Sequence, residues 1–116
     1  MSGRWVIKMV KFERRRYLAF KLYPEKKEVK KNSLAREIWT SLISLFGEKA
    51  AADTNFWLVD YDEEKCIGIA RCTNRTVEIL RSAIALLSSV DSIRISVKTL
   101  KISGSLRKLR KKYLLR

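Results

Sequence analysis

The chain has 116 residues, and its 26 lysines and arginines outnumber its 12 aspartates and glutamates to give a formal net charge of +14. Because 47% of the residues are hydrophobic, the composition excludes a disordered basic tail and predicts one domain with a real core. The excess of positive charge predicts a polyanionic partner. The sequence shows no long uncharged apolar stretch and no signal-peptide pattern, so nucleic acid is favoured over a membrane.

The first half of the chain predicts an arm, a strand and a helix. Residues 1–11 mix apolar and basic side chains without a period, which indicates a flexible or partner-docking N-terminal arm. Alternating apolar residues in 17–23 predict the first strand, with Leu18, Phe20 and Leu22 facing the core. A helix is predicted to begin after an N-cap at Ser33 and to end at a C-terminal cap at Gly47. Its apolar stripe consists of Leu34, Ile38, Leu42, Leu45 and Phe46.

The second half predicts a hairpin, a second helix and a fourth strand. Strands at 56–61 and 66–72 are joined by a charged turn at 62–65. Thr73 or Asn74 is predicted to cap a helix that ends before a break at 90–92. In the fourth strand the apolar phase slips near Lys98-Thr99, which predicts a bulge or bend there.

This order of elements predicts an α+β fold of the ferredoxin-like β-α-β-β-α-β type. Two right-handed crossovers place both helices on one face of a four-stranded antiparallel sheet. The predicted domain covers residues 12–103, and a C-terminal basic helix covers 104–116. The sequence leaves open whether the other face of the sheet is bare or is covered by this last helix or by a partner.

Histidine is absent, which removes histidine-based general bases, His-activated nucleophiles and the usual zinc sites. Cys66 and Cys72 are predicted to lie on one strand roughly 20 Å apart, too far for a disulfide. They are interpreted as small buried residues of a reducing compartment. We therefore expect a cytoplasmic protein, or a nuclear one if its cell has a nucleus, that itself binds no cofactor.

The C-terminal basic helix carries the strongest functional signal. Leu106, Leu109 and Tyr113 have helical spacing and are predicted to pack on the domain, leaving the cations exposed. Because the segment contains no acid, RNA contact is favoured over a solubilising surface helix, although a membrane surface or a calmodulin-type ligand also fits the pattern. The opening residues 103–105 (Ser-Gly-Ser) predict free backbone N–H groups for a phosphate.

Other charged residues admit two interpretations each. Residues 14–16, all arginine, either contact phosphates or form a solvated run before the strand. Arg71 shares the parity of inward-facing strand residues, so it either binds RNA near the sheet edge or pairs with Asp60 or Asp62. The acidic residues of 60–64 are interpreted as a charged turn in preference to a Mg²⁺ site.

The third strand has no aromatic residue, which argues against base stacking on that strand. Aromatic and apolar residues elsewhere are predicted to line the open sheet face, where such a surface favours a protein interface. These interface residues are Tyr17, Trp57, Val59 and Tyr61.

Three motifs carry a resemblance to a known family. Residues 15–18 (RRYL) open the first strand, residues 58–62 (LVDYD) and 68–72 (GIARC) form the hairpin, and residues 101–108 (KISGSLRK) close the sheet. Together they resemble the ribonuclease P protein component 2 family of archaea and eukaryotes. The resemblance spans roughly residues 14–112 and leaves the N-terminal arm outside it.

The resemblance implies a ferredoxin-like, non-catalytic subunit of a ribonucleoprotein that removes the 5′ leader from precursor tRNA. In that family the RNA carries the Mg²⁺-dependent chemistry. The protein binds the catalytic half of the RNA and pairs with another protein subunit that has a barrel fold. A higher-order hetero-oligomer is compatible with such a set of partners.

We therefore predict an RNA-binding subunit that stabilises the active fold of the catalytic RNA. The alternatives are a ribosomal or other ribonucleoprotein structural protein, or a metal-dependent endoribonuclease with Asp60 as its catalytic carboxylate. The predicted RNA-binding residues are Arg14, Arg15, Arg16, Arg71, Lys101, Ser103, Gly104, Ser105, Arg107, Lys108, Arg110, Lys111 and Lys112.

Overall fold

A computed structural model describes residues 14–26 and 29–114, so the predicted arm at 1–11 lies outside the described residues. Within the described ranges, no helix is long and apolar enough to cross a membrane. The strands are β1 (Arg15–Pro24), β2 (Trp57–Asp62), β3 (Ile67–Thr73), β4 (Ser89–Val90) and β5 (Ile93–Ser103). The helices are α1 (Lys31–Asp53), α2 (Val77–Ala85), which a 3-10 turn at Asn74–Thr76 precedes, and α3 (Leu106–Leu109), which a π-helical turn at Arg110–Leu114 follows.

The fold is mixed α/β, with one antiparallel five-stranded sheet in the order β2-β3-β1-β5-β4. The sequence predicted four strands, and the additional one is β4. A two-residue turn joins β4 to β5, and both of its residues, Asp91 and Ser92, have positive φ values of 51° and 66°. Such a turn matches the twist of a hairpin, but two strand residues are too few for alternation to reveal them in the sequence.

One face of the sheet, which we call the helix face, is covered by α1 and α2. Leu18, Phe20 and Leu22 point to this face and are almost fully buried, as predicted. The cluster they join, here named the main core, contains Leu18, Phe20, Leu22, Val29, Leu34, Ile38, Leu42, Ala51, Leu58, Ala70, Cys72, Leu80, Ala83, Ile84, Leu87, Val90 and Ile95.

The bounds of α1 differ from the prediction at both ends. The helix begins at Lys31 without a side-chain cap, so Ser33 lies inside it. Gly47 does leave helical geometry, with φ 88° and ψ 165°, but it forms a kink after which the helix continues to Asp53. Leu45 and Phe46, just before this kink, are 45% and 39% exposed, so their assignment to the core stripe was wrong.

A bulge in β5 confirms the predicted phase slip. Ala19 pairs with Lys101 and Phe20 pairs with Thr99, which leaves Leu100 as the extra residue. The bulge allows Ile102 to pack against the main core while Leu100 packs on the opposite face of the sheet, which we call the second face.

The two cysteines occupy different kinds of structure. Cys66 lies in the hairpin turn, not on the strand as predicted, with a φ of 57°, and its thiol donates to the carbonyl oxygen of Glu63 at 3.6 Å. Cys72 lies on β3 within the main core, and both thiols are free. Burial raises the pKa of the Cys72 thiol to about 11.

Replacing Gly68 by alanine should destabilise the fold. Gly68 lies opposite Phe20 on β1, and a Cβ at Gly68 would lie 2.7 Å from the ring Cζ of that fully buried residue. We expect Gly68→Ala to lower the free energy of unfolding by about 1–3 kcal/mol, as for other overpacked cores. Gly104→Ala is the control for denaturant unfolding, because its Cβ would meet only the far end of the long Arg16 side chain. Equal stability of both variants would contradict the packing argument.

The buried thiol gives a second test. In a Cys66→Ser variant, Cys72 should react with a thiol reagent near neutral pH at least about a hundredfold more slowly in the folded chain than in urea, because its thiolate is suppressed. Because the pKa is raised on folding, the thiol's contribution to stability is fully present below about pH 8.5 and is lost as pH rises towards 11. A native reaction rate equal to the unfolded rate would rule this out.

Candidate nucleic-acid interface

The strand register brings several of the predicted RNA-binding residues to one end of the sheet. Arg15 pairs with Thr73, and Tyr17 pairs with both Arg71 and Ser103. The start of β1, the end of β3 and the end of β5 therefore lie side by side, and α3 follows directly. We name this region the basic end; it contains Arg14, Arg15, Arg16, Arg71, Ser103, Gly104 and Ser105.

Arg16 links the start of β1 to the Ser-Gly-Ser turn. Its Nη1 lies 3.0 Å from the place that a Cβ on Gly104 would occupy, and it donates to the carbonyl oxygen of Arg15 at 3.3 Å. Glycine at this position therefore permits the guanidinium to approach the turn closely. Arg14 and Arg15 are exposed, and Arg15 and Arg16 point to opposite faces because they are neighbours on a strand.

The Ser-Gly-Ser turn uses its hydroxyls to satisfy its own backbone. The Oγ of Ser103 accepts from the N–H of Ser105 at 3.0 Å, and the Oγ of Ser105 caps α3 by accepting from the N–H of Lys108 at 3.3 Å. The prediction of free N–H groups was therefore wrong for Ser105 and Lys108. These hydroxyls shape the turn and set the direction in which the basic helix leaves the sheet.

The apolar side of the C-terminal segment packs on the domain, as its spacing predicted, and it does so on the second face of the sheet. Leu109 is 1% exposed and contacts Ala19 and Ile69. We name this cluster the second core; its partly buried members are Tyr17, Leu100, Leu106, Tyr113 and Leu114. The sequence left open whether this face is bare or is covered by the last helix or by a partner. The last helix covers this part of the face.

An ion pair joins the same segment to the hairpin. Arg110 donates from Nε to Asp60 Oδ2 at 2.6 Å and from Nη2 to Oδ1 at 3.4 Å, and this hydrogen bonding raises the pKa of the Arg110 guanidinium. The π-helical turn begins at Arg110, the residue that makes this contact. Arg110, a predicted RNA contact, is itself exposed but is held by a carboxylate, whereas no ion pair within the described residues involves the exposed Arg107, Lys108 and Lys111.

Two further predicted cations flank this segment. Lys112 is exposed, with its Nζ 5.5 Å from the centre of the Tyr113 ring. Lys101 is also exposed, and its partner Ala19 on β1 belongs to the second core. Side chains paired across strands share a face, so Lys101 lies on the same side of the sheet as the anchored helix.

Arg71 also lies on the second face, in a cross-strand row with Tyr17 and Trp57. The prediction that Arg71 shares a face of the sheet with Ile69 was right. Ile69, however, is buried by the C-terminal segment and not by α1 or α2. The carboxylate of Asp60 binds Arg110, and within the described part of the chain no salt bridge connects Arg71 to an acid. Arg71 is therefore a half-exposed cation next to two aromatic rings.

The four predicted interface residues do not share one face. Leu58 pairs with Ala70 and Asp60 pairs with Ile69, which leaves Val59 as the extra residue of a bulge in β2. The bulge shifts the alternation, so Tyr61 packs against the main core, contrary to the prediction. Tyr17 is partly buried in the second core, and Trp57 is 62% exposed.

Sequence reasoning did not find a groove between α1 and β2. It has a volume of about 340 Å³, and its lining comes from two segments that are separate in the chain, so no local pattern marks it. Among the residues that the structure describes, no group of three or more His, Cys, Asp or Glu side chains is arranged to hold a metal. The groove is lined by Lys31, Asn32, Ala35, Arg36, Trp39, Phe56, Trp57 and Leu58.

Comparisons with known proteins agree on one family. A family model described as the Rpp14/Pop5 family matches residues 16–114. Ribonuclease P protein component 2 of Pyrococcus horikoshii is 32% identical over 102 residues, which cover 88% of this chain and 84% of that protein. The Archaeoglobus fulgidus protein of the same name is 36% identical over 101 residues, covering 87% and 89%.

A solved structure shares the fold. One chain of a cryo-EM structure of yeast ribonuclease MRP aligns with a TM-score of 0.66 and 13% identity, covering 87% of this chain and 92% of that chain. At this identity the likeness concerns the arrangement of helices and strands alone.

The ion pair between Asp60 and Arg110 should hold the C-terminal segment on the sheet. Asp60→Asn should increase backbone hydrogen exchange across 106–114 severalfold and speed tryptic cleavage there, because local opening costs less when this contact is lost. Unfolding of the main core should change little. Glu48→Gln removes one exposed acid elsewhere and is the control. Unchanged exchange at 106–114 in Asp60→Asn would show that the second core alone holds the segment.

Proposed function

This chain belongs to the Rpp14/Pop5 family, and from that premise we propose that it is an RNA-binding protein subunit of ribonuclease P, acting in the 5′ maturation of precursor tRNA. The named relatives match it over most of their own lengths as well as over most of this chain. The comparison therefore concerns a whole domain and not a short motif.

The anchored basic helix is the observation that carries the proposal. Its apolar side is buried in the second core, and its exposed side carries Arg107, Lys108 and Lys111. Because the segment is fixed at both Leu109 and Arg110, these cations point away from the sheet as a set. A fixed set of cations suits the closely spaced phosphates of a folded RNA, and release of counterions drives the binding.

The proposed mechanism assigns the Mg²⁺-dependent chemistry to the RNA and positive charge to the protein. Phosphates repel one another when an RNA folds compactly, and cations placed between them lower that cost. The protein thereby raises the population of the active RNA conformation without touching the scissile bond. Contacts to the backbone and to the shape of the RNA suffice for this role.

Partners and location are also part of the proposal. We place the protein in a complex with ribonuclease P RNA and precursor tRNA, together with a second protein subunit of barrel fold, in the cytoplasm or in the nucleus of a eukaryote. Neighbouring β2-β3-β1-β5 strands with two helices on one face support a ferredoxin-like description, to which β4 is an addition. The endoribonuclease alternative gains no support, because Asp60 is bound by Arg110.

Neutralising the exposed cations should weaken RNA binding and its salt dependence together. We expect the triple variant Arg107→Ala, Lys108→Ala, Lys111→Ala to reduce the slope of log affinity against log salt by about two to three, since each phosphate contact contributes about 0.7–0.9. The measurement is binding to folded ribonuclease P RNA over a series of salt concentrations, with precursor tRNA cleavage as a second readout.

A charge-matched control separates position from total charge. Lys26, Lys49 and Arg94 are exposed cations, and Arg94 follows the start of β5, which lies at the opposite end of the sheet from Ser103. Their triple alanine variant should keep most of the slope. If the slope of log affinity against log salt falls equally in both triple variants, the anchored helix is not the binding surface and net charge alone explains the affinity.

A further inference from the structure

The groove between α1 and β2 exposes aromatic surface that the fold does not use. Trp57 is 62% exposed and Trp39 is 39% exposed, although both are large apolar side chains. Phe56 also lines the groove and packs against the main core, so it connects the groove to the core. Single hydrophobic residues scattered over a protein surface are normal, but two exposed tryptophans on one concave surface indicate a binding site.

The charged side chains that line the groove are cationic, although the carboxylate of Glu63 lies at its margin and accepts from the backbone N–H of Lys31 at 3.4 Å. Lys31 and Arg36 are exposed, and the lining contains no carboxylate. Lys31 Nζ lies 3.5 Å from the carbonyl oxygen of Val59, which leaves its other donors available, and Arg36 has no ion pair within the described residues. Asn32 adds an amide that both donates and accepts. The groove is therefore complementary to a planar, anionic group that has hydrogen-bonding edges.

We propose that this groove binds an unpaired nucleotide of the RNA. The tryptophans provide faces on which a base stacks, Lys31 or Arg36 binds the adjoining phosphate, and Asn32 contacts the base edge. A volume of about 340 Å³ is within the range of small-ligand pockets. This inference deepens the proposed function and rests on it, because it adds a site for single-stranded RNA to a surface for folded RNA.

Continuity with the basic end favours a nucleotide over an acidic peptide. Trp57 pairs across the sheet with Arg71, and Arg71 pairs with Tyr17 at the start of β1. Trp57 thus joins the groove to the cross-strand row that contains Arg71, and a strand of RNA that leaves a folded region at the basic end reaches Trp57 by way of Arg71. An acidic peptide needs the same cations, but its binding does not explain why Trp57 lies next to Arg71 at the basic end.

The test compares a short single-stranded RNA with the duplex of the same sequence. Single-stranded RNA should quench the tryptophan fluorescence of the full chain. Trp57→Ala should abolish most of that quenching and weaken single-strand affinity about tenfold, the usual effect of losing one stacking partner, while duplex affinity stays the same. Trp57→Phe keeps a ring and should restore part of the affinity. Leu86→Ala, another truncation of a 65% exposed apolar residue, lies outside the groove and should change nothing.

The outcomes distinguish this inference from the proposed function. If Trp57→Ala and Arg36→Ala bind single-stranded RNA as the parent does, while the parent still binds folded ribonuclease P RNA, the groove is not a nucleotide site and the proposed function stands. If an acidic peptide occupies the groove in a Trp57-dependent manner and single-stranded RNA does not compete, the occupant is a protein and the inference fails. If the parent binds no folded RNA at moderate salt, the proposed function fails instead.

Discussion

Burial of Leu109 on the second face of the sheet is the contact on which the functional surface depends. One fully buried leucine contributes about 1.5–3 kcal/mol, enough to hold a short helix that would not persist alone. With Leu109 seated between Ala19 and Ile69, the rest of the segment has one orientation. The cations of the segment then occupy fixed positions, which a free basic tail would not provide.

The second core also explains why a small side chain on β1 is useful here. Ala19 on β1 leaves space above the strand, and Ile69 borders that space from β3. A basic helix can therefore lie close to the sheet and still keep its charged side in water. Asp60 on the edge strand then binds Arg110, so the segment is fixed by both packing and charge.

Two bulges decide which residues meet. In β5 the extra residue is Leu100. Because of this bulge, Ile102 packs against the main core while Leu100 packs in the second core. In β2 the extra residue Val59 moves Asp60 to the face where Arg110 lies and turns Tyr61 towards the main core. Both bulges lie beside the surface that we propose binds RNA, so local departures from regular pairing position its residues.

The amino-acid sequence by itself determined the basic character, the order of the long elements, the inward face of β1 and the apolar side of the last helix. These features are local, because burial imposes a period of two on a strand and about 3.6 on a helix. The phase slip in β5 was visible for the same reason. The bulge in β2 was not, because Trp57, Val59 and Tyr61 keep an unbroken alternation in the sequence although the pairing with β3 shifts.

Only the tertiary structure decided which cation of the last helix is paired with an acid, which aromatic residues are accessible and where a groove forms. Arg110 differs from Arg107 and Lys108 solely because Asp60, fifty residues earlier in the chain, lies next to it. Trp39 and Trp57 border one groove because α1 packs beside the edge strand. Contacts between residues so far apart in sequence leave no periodic trace, and the free energy of folding, not the local pattern, brings them together.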